Sequence, residues 1–149
     1  MSEPPPVPLQ PALALLRGVW RLNHAIERAS ARMERRLGVT AQQRFVLRCV
    51  GRYPGITAGQ LAATLLVDRG TVSAALNRLE RKGLLTRRAD PRDRRRVALG
   101  LTARGHALDQ PEDRTVEHAA AVVLAELPGE AVDAAVAVLN ALVRRVDEV

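Results

Sequence analysis

Apolar positions along this chain recur mostly at spacings of three and four, and they give way to alternation only once. The first spacing gathers residues on one face of a helix, the second on one face of a strand. Residues 12–37 carry the first helical pattern: Val19, Leu22, Ile26, Ala29 and Met33 form a short heptad seam, and Gly38 ends it. Thr40 with Gln43 spells a capping box and opens a helix through Tyr53, with Phe45, Val46, Cys49 and Val50 on its apolar face. Pro54-Gly55 is a turn signal. Thr57 with Gln60 is a second capping box, flanked by Ile56 and Leu61 as a hydrophobic staple, and predicts a helix over 58–66. Asp68 caps a third helix over 69–82, with Val67 and Val72 as its staple and Lys82-Gly83 at its end.

The alternation comes next. Leu84–Ala89 and Arg95–Leu101 read as strands, with Val97, Leu99 and Leu101 on one buried face and Asp90-Pro91-Arg92-Asp93-Arg94 as the tip between them. Thr102 caps a further helix, which Pro111 cannot continue, so a break or kink is expected near Gln110-Pro111. The pattern resumes at Glu112-Asp113, two acids suited to a helix N-terminus, and stops at Leu127-Pro128-Gly129. Val132, Val136, Leu139, Leu142, Val143 and Val146 mark a last amphipathic helix. The fold class is therefore mainly α with a small β-hairpin wing. Two helices joined across Leu66-Val67-Asp68 make a helix-turn-helix, and the hairpin follows it.

Composition sharpens this picture. Apolar residues make up 47%, yet Trp20, Phe45 and Tyr53 are the only aromatics, so the core must be aliphatic. The net charge of +7 is unevenly spread. Residues 1–56 hold nine Arg against three acids, and residues 68–96 hold ten basic residues against four acids. Residues 97–149 reverse the balance, with four Arg and nine acids. A basic patch on a small domain points to a polyanion. No long basic amphipathic stretch with a bulky apolar face favours a membrane surface. One cysteine, Cys49, excludes a disulfide framework and a Cys-rich zinc site and fits a reducing cytoplasm. Residues 1–11, MSEPPPVPLQP, lack the basic and apolar regions of a signal peptide and read as an extended arm. No run of about 18 apolar residues predicts a membrane span.

A helix followed by a basic hairpin is how a winged helix-turn-helix reads duplex DNA, which makes double-stranded DNA the expected partner. On the helix 69–82, Val72, Ala75, Leu76 and Leu79 share the core side. The opposite side is centred on Gly70, Ala74, Asn77 and Arg81 and flanked by Ser73 and Arg78. Its small residues allow close approach to a major groove. Asn77 can pair with an adenine edge, and arginine with guanine. Arg69 and Thr71 sit in the first turn, where backbone amides favour a phosphate. At the tip, four arginines fall within Arg92–Arg96, broken only by Asp93. Such like charge repels itself, and an anionic partner relieves it. Asp90 and Asp93 are expected to brace neighbouring arginines, and Arg95 is either a DNA contact or a structural partner of Asp93.

The order of these segments resembles the MarR family of bacterial transcription regulators. LGVTAQQRFVLRCV at 37–50 looks like that family's linker and second helix, residues 61–85 like its helix-turn-helix, and DPRDRR at 90–95 like its wing. Leu101-Thr102-Ala103-Arg104-Gly105 resembles the join to its long fifth helix, which Pro111 here interrupts. The resemblance implies a homodimer with an intertwined helical dimerisation region, formed by 12–37 and 112–149, and a winged DNA-binding domain at 38–111 with its connecting helix. It also implies that Arg92 or Arg94 enters a minor groove, that the operator is pseudo-palindromic, and that the protein represses transcription until a small effector releases it.

The signal itself is less legible. By the resemblance, an effector would be a small aromatic or amphipathic anion, a metal or an oxidant. Arg17, Trp20, Arg21 and His24 lie within two turns of the first helix and suit an aromatic acid; the competing reading makes Trp20 core and His24 solvated. Cys49 shares a face with Phe45, and a buried, inert thiol is expected. His24, His106 and His118 have no metal-ligand spacing, and no catalytic motif or cofactor site is present, so no enzyme is expected. Two other classes stand beside the regulator: a winged domain that contacts protein, and an architectural DNA binder tolerant of sequence.

Overall fold

The computed structural model describes residues 8–149. Of the expected arm, residues 1–7 lie outside the described residues, and Pro11 already begins helix α1 (Pro11–Leu37). Proline suits that first position because its missing N–H would have no intrahelical acceptor. Gly38 closes α1 in the left-handed region, at φ 74°, with its amide on Glu34 O. Helices α2 (Ala41–Arg52), α3 (Ala58–Leu65) and α4 (Arg69–Arg81) follow. Both capping boxes form. Thr40 Oγ1 accepts the Gln43 amide at 3.1 Å and Gln43 Oε1 accepts the Thr40 amide at 3.3 Å. Thr57 and Gln60 exchange the same pair at 3.2 and 3.0 Å. Each box satisfies two donors that the start of a helix leaves orphaned.

Strands β1 (Leu85–Ala89) and β2 (Val97–Leu101) pair antiparallel, with Leu85 opposite Leu101 and Arg87 opposite Leu99. The hairpin is fastened to the turn before α3, since Gly55 N–H donates to Leu99 O and Leu99 N–H to Ile56 O. Helix α5 (Ala103–Leu108) then lies against the start of the hairpin. Gly105 makes this approach possible: a Cβ there would sit 2.0 Å from Leu84 O. Val39, Val46, Leu47, Val50, Leu61, Val72, Leu76, Leu79, Leu85 and Leu99 join into one aliphatic core beneath these elements.

The chain divides into two compact units, one ending at Gln110 and one beginning at Pro111. The break expected near Pro111 is present: α5 stops at Leu108 and α6 (Val116–Glu126) starts eight residues later. The second unit holds α6 and α7 (Gly129–Val146). Along α7, Val136, Leu139, Val143 and Val146 form an exposed apolar row at helical spacing.

Four expectations need correction. Phe45 is 55% exposed, and Leu47 is fully buried in its place. Helix α2 turns the face of Gln43, Val46, Leu47 and Val50 inward, and Phe45 falls almost opposite it. Cys49 is only half-buried. Glu112 and Asp113 do not open a helix. Thr115 caps α6 by accepting the His118 amide at 3.2 Å, and its hydroxyl donates to Glu112 O at 2.8 Å. Finally, β2 begins at Val97 rather than Arg95, because Arg95 and Arg96 are drawn into the turn at the tip.

Candidate nucleic-acid interface

Helix α4 presents the two faces its sequence predicts. Val72, Ala75, Leu76 and Leu79 are buried, whereas Arg69, Gly70, Ser73, Ala74, Asn77, Arg78 and Arg81 are exposed. Thr71 is drawn partly into the cap. Its amide donates to Asp68 Oδ1 at 2.9 Å and its hydroxyl donates to Asp68 Oδ2. The hydroxyl first, then the amide, hold the Asp68 carboxyl below its ordinary pKa. The helix therefore starts with a carboxylate on its positive end and a short, lightly substituted outer surface.

The centre of that surface is not free-standing. Asn77 Oδ1 accepts a hydrogen bond from Arg87 Nη2 at 2.7 Å, and Arg87 Nε lies 2.9 Å from Glu80 Oε2. Sequence reasoning missed Arg87 as a candidate. The signal was its strand position, which puts an arginine on the same face as Leu85 and opposite the buried Leu99. It also missed Lys82, whose Nζ donates to Gly38 O at 2.7 Å and Gln43 Oε1 at 2.8 Å, tying the end of α4 to the α1–α2 junction. Arg44 is 1% exposed and donates to Leu108 O and to Gln110 O, the latter at 2.8 Å. Arg48 beside it donates to Asp109 O and, at 3.1 Å, to Asp109 Oδ1.

At the wing tip the two aspartates act on backbone. Asp90 Oδ1 accepts the Arg92 amide at 2.9 Å, and Asp93 Oδ1 accepts the Arg95 amide at 3.0 Å. Each is a carboxylate bonding an amide two residues on, a local motif that bends the chain. Asp90 and Asp93 thus brace Arg92 and Arg95 through their backbone amides, and among the described residues no ion pair joins Arg95 to Asp93. Among the described residues, no acceptor faces the guanidiniums of Arg92, Arg94 or Arg95, and all three are exposed. Arg96 instead turns back, with Nη2 3.3 Å from Gln60 Oε1. The result is a basic tip whose backbone is held by two carboxylate–amide bonds while three exposed arginines surround it.

The first-helix candidates behave differently. Trp20 is 64% exposed in the single chain, and its ring meets His24 edge-on with centroids 4.9 Å apart. Trp20, Arg21, His24 and Arg28 line a shallow groove on the helix surface, and Arg17 is outside it. His24 Nδ1 lies 3.2 Å from Glu27 Oε2. Trp20 is therefore not core of the first unit. Burial raises the Cys49 thiol above its ordinary pKa. Among the described residues no group of three His, Cys, Asp or Glu is positioned to hold a metal, and no helix is long and apolar enough to cross a membrane.

Residues 37–96 match the MarR family. An HTH-type transcriptional repressor of Mycobacterium bovis is 34% identical over 91 residues, covering 61% of this chain and 66% of that protein. The chain spans between 41% and 66% of the length of the curated relatives it matches. Among solved structures, the transcriptional regulator SlyA aligns at 25% identity with a TM-score of 0.69, over 90% of this chain and 94% of that one. A cysteine-to-serine mutant of MarR from Escherichia coli, complexed with operator DNA, aligns at 32% identity with a TM-score of 0.59, over 66% of this chain and 70% of that one.

Proposed function

This chain belongs to the MarR family, and on that premise we propose that it is a homodimeric transcription regulator that binds a pseudo-palindromic operator in double-stranded DNA and represses until a small effector releases it. The observation that carries the reading is the pairing of a small-residue outer face on α4 with a hairpin tip that projects three arginines. The first suits a major groove, where side chains meet base edges at close range. The second suits a narrow minor groove, whose negative potential draws in guanidinium.

In this reading Gly70, Ser73 and Ala74 let the α4 backbone approach the bases, Asn77 and Arg78 read edges, and Arg69, Thr71 and Arg81 meet phosphates. Arg92, Arg94 and Arg95 enter or straddle the minor groove beside it. Two copies would present α4 to successive major grooves about 34 Å apart. The exposed rows Leu13, Leu16 and Trp20 on α1 and Val136, Leu139, Val143 and Val146 on α7 favour burial against a second copy. Residues 12–37 and 112–149 then serve dimerisation and 38–111 serves DNA. Trp20, Arg21 and His24, with Arg17 nearby, offer ring and guanidinium surface to an aromatic carboxylate. Such a ligand acts only by binding the DNA-competent and incompetent states unequally. The protein would work in the cytoplasm as a regulator and not as an enzyme.

Selection of duplexes from a random pool by the purified protein tests this. A two-fold-related motif should emerge. Enrichment of no sequence, with equal affinity for every duplex, would leave an architectural binder; no duplex binding at all would leave a protein-contact module.

A further inference from the structure

Asn77 occupies the middle of the outer face of α4, where its two amide groups decide what it can read. An asparagine free to turn can offer its oxygen and its nitrogen together to an adenine edge. Here the oxygen is already engaged. Arg87 reaches across from β1 and donates through Nη2 to Asn77 Oδ1 at 2.7 Å. Because a guanidinium carries only donors, the amide atom that faces it must be the oxygen. Arg87 is in turn held by Glu80, one turn further along α4, with Nε 2.9 Å from Oε2. The planar fork of the guanidinium thus spans two side chains of one helix. Turning the Asn77 amide over would set its NH2 group against the guanidinium, donor against donor.

Resting on the DNA-binding reading above, we propose that Arg87 is a positioning residue for base recognition. It holds the Asn77 oxygen toward the wing, so that Asn77 meets the major groove as a hydrogen-bond donor. A donor selects guanine, which offers two acceptors, N7 and O6. It disfavours adenine, whose N6 amino group would have to share the Asn77 oxygen with the Arg87 guanidinium. The Arg87–Asn77–Glu80 arrangement therefore converts a residue suited to adenine into a reader of guanine.

The test selects duplexes from a random pool with the full chain as wild type, Asn77→Ala, Arg87→Met and Glu80→Gln. The base pair whose preference disappears in Asn77→Ala identifies the position that Asn77 reads. Wild type should prefer guanine over adenine there by roughly tenfold. Arg87→Met should shift the guanine-to-adenine ratio at that position at least about fivefold toward adenine, with preferences elsewhere unchanged. Glu80→Gln, a surface change that leaves the hairpin intact, should produce a smaller shift in the same direction. A general loss of packing would lower affinity at all positions without exchanging one base for another. Adenine preferred by wild type, or no shift at that position in both Arg87→Met and Glu80→Gln, would overturn the proposal. So would an Asn77→Ala motif identical to wild type. Failure of wild type to enrich any sequence would instead remove the DNA-binding reading beneath it.

Discussion

Replacing Arg44 by methionine should destabilise the first unit by about 2–4 kcal/mol. The side chain is 1% exposed and donates to Leu108 O and Gln110 O, 64 and 66 residues along the chain. Leu108 is the last residue of α5, where carbonyls lack an intrahelical donor. Methionine keeps most of the aliphatic stem, so little cavity opens, but both carbonyls lose their donor. A carbonyl left unsatisfied out of reach of water costs about 1–3 kcal/mol; Leu108 is half-buried and Gln110 exposed, so water relieves part of the loss. Removing a desolvated charge returns part of that, which sets the net below the simple sum. Arg48→Met is the control. Its side chain is 37% exposed, so loss of its bond to Asp109 should cost no more than about 1 kcal/mol. Urea unfolding followed by circular dichroism, at one fixed protein concentration because any self-association would add to stability, measures both. An Arg44→Met midpoint equal to that of Arg48→Met, at an unchanged slope, would show that water serves those carbonyls as well as Arg44 does.

The other predictions concern caps, thiol and assembly. The Asp68 carboxyl has a lowered pKa in the folded chain, so its stabilisation is complete above the ordinary carboxylate range and is lost as pH falls through the folded value. Asp68→Asn should therefore be less stable than wild type at neutral pH, with the gap closing in acid; a gap independent of pH would contradict the cap. The Cys49 thiol has a raised pKa, so alkylation at pH 7 should be slower than that of a free cysteine and should accelerate after unfolding. DNA release by mild peroxide from wild type but not from Cys49→Ser would show that burial does not silence it. Truncation after Leu127 removes the α7 row of Val136, Leu139, Val143 and Val146 and should leave a monomer by sedimentation; a monodisperse dimer would refute the assignment.

What the sequence revealed is local, and what it concealed is distant. Thr40, Thr57, Asp68 and Thr102 were legible as caps because each acts on an amide three residues away. The faces of α4 were legible because four aliphatic positions phase one helix without ambiguity. In α2 the same argument failed for Phe45, since apolar residues occur on several sides of the helix and only packing chooses among them. Arg44, Lys82 and Arg87 were invisible as structural arginines and lysine because their acceptors lie on other elements. The wing aspartates were legible as braces, but the atoms they hold were not: a carboxylate two residues from an amide closes a turn at less entropic cost than it orders a long side chain. Nothing local marks an effector, and the groove beside Trp20 belongs to a single helix.

The central claim is that the α4 face and wing tip read duplex DNA by sequence, and fluorescence anisotropy across a salt series tests it most directly. Wild type, Arg92→Ala and Arg94→Ala are titrated onto the duplex enriched from the random pool and onto a scrambled duplex of the same composition. Wild type should bind the enriched duplex more tightly. Both wing variants should bind it more weakly, with the slope of log K against log salt reduced by about one unit for each phosphate that is no longer neutralised. Equal affinity for both duplexes, or variants that match wild type in affinity and slope, would contradict the claim.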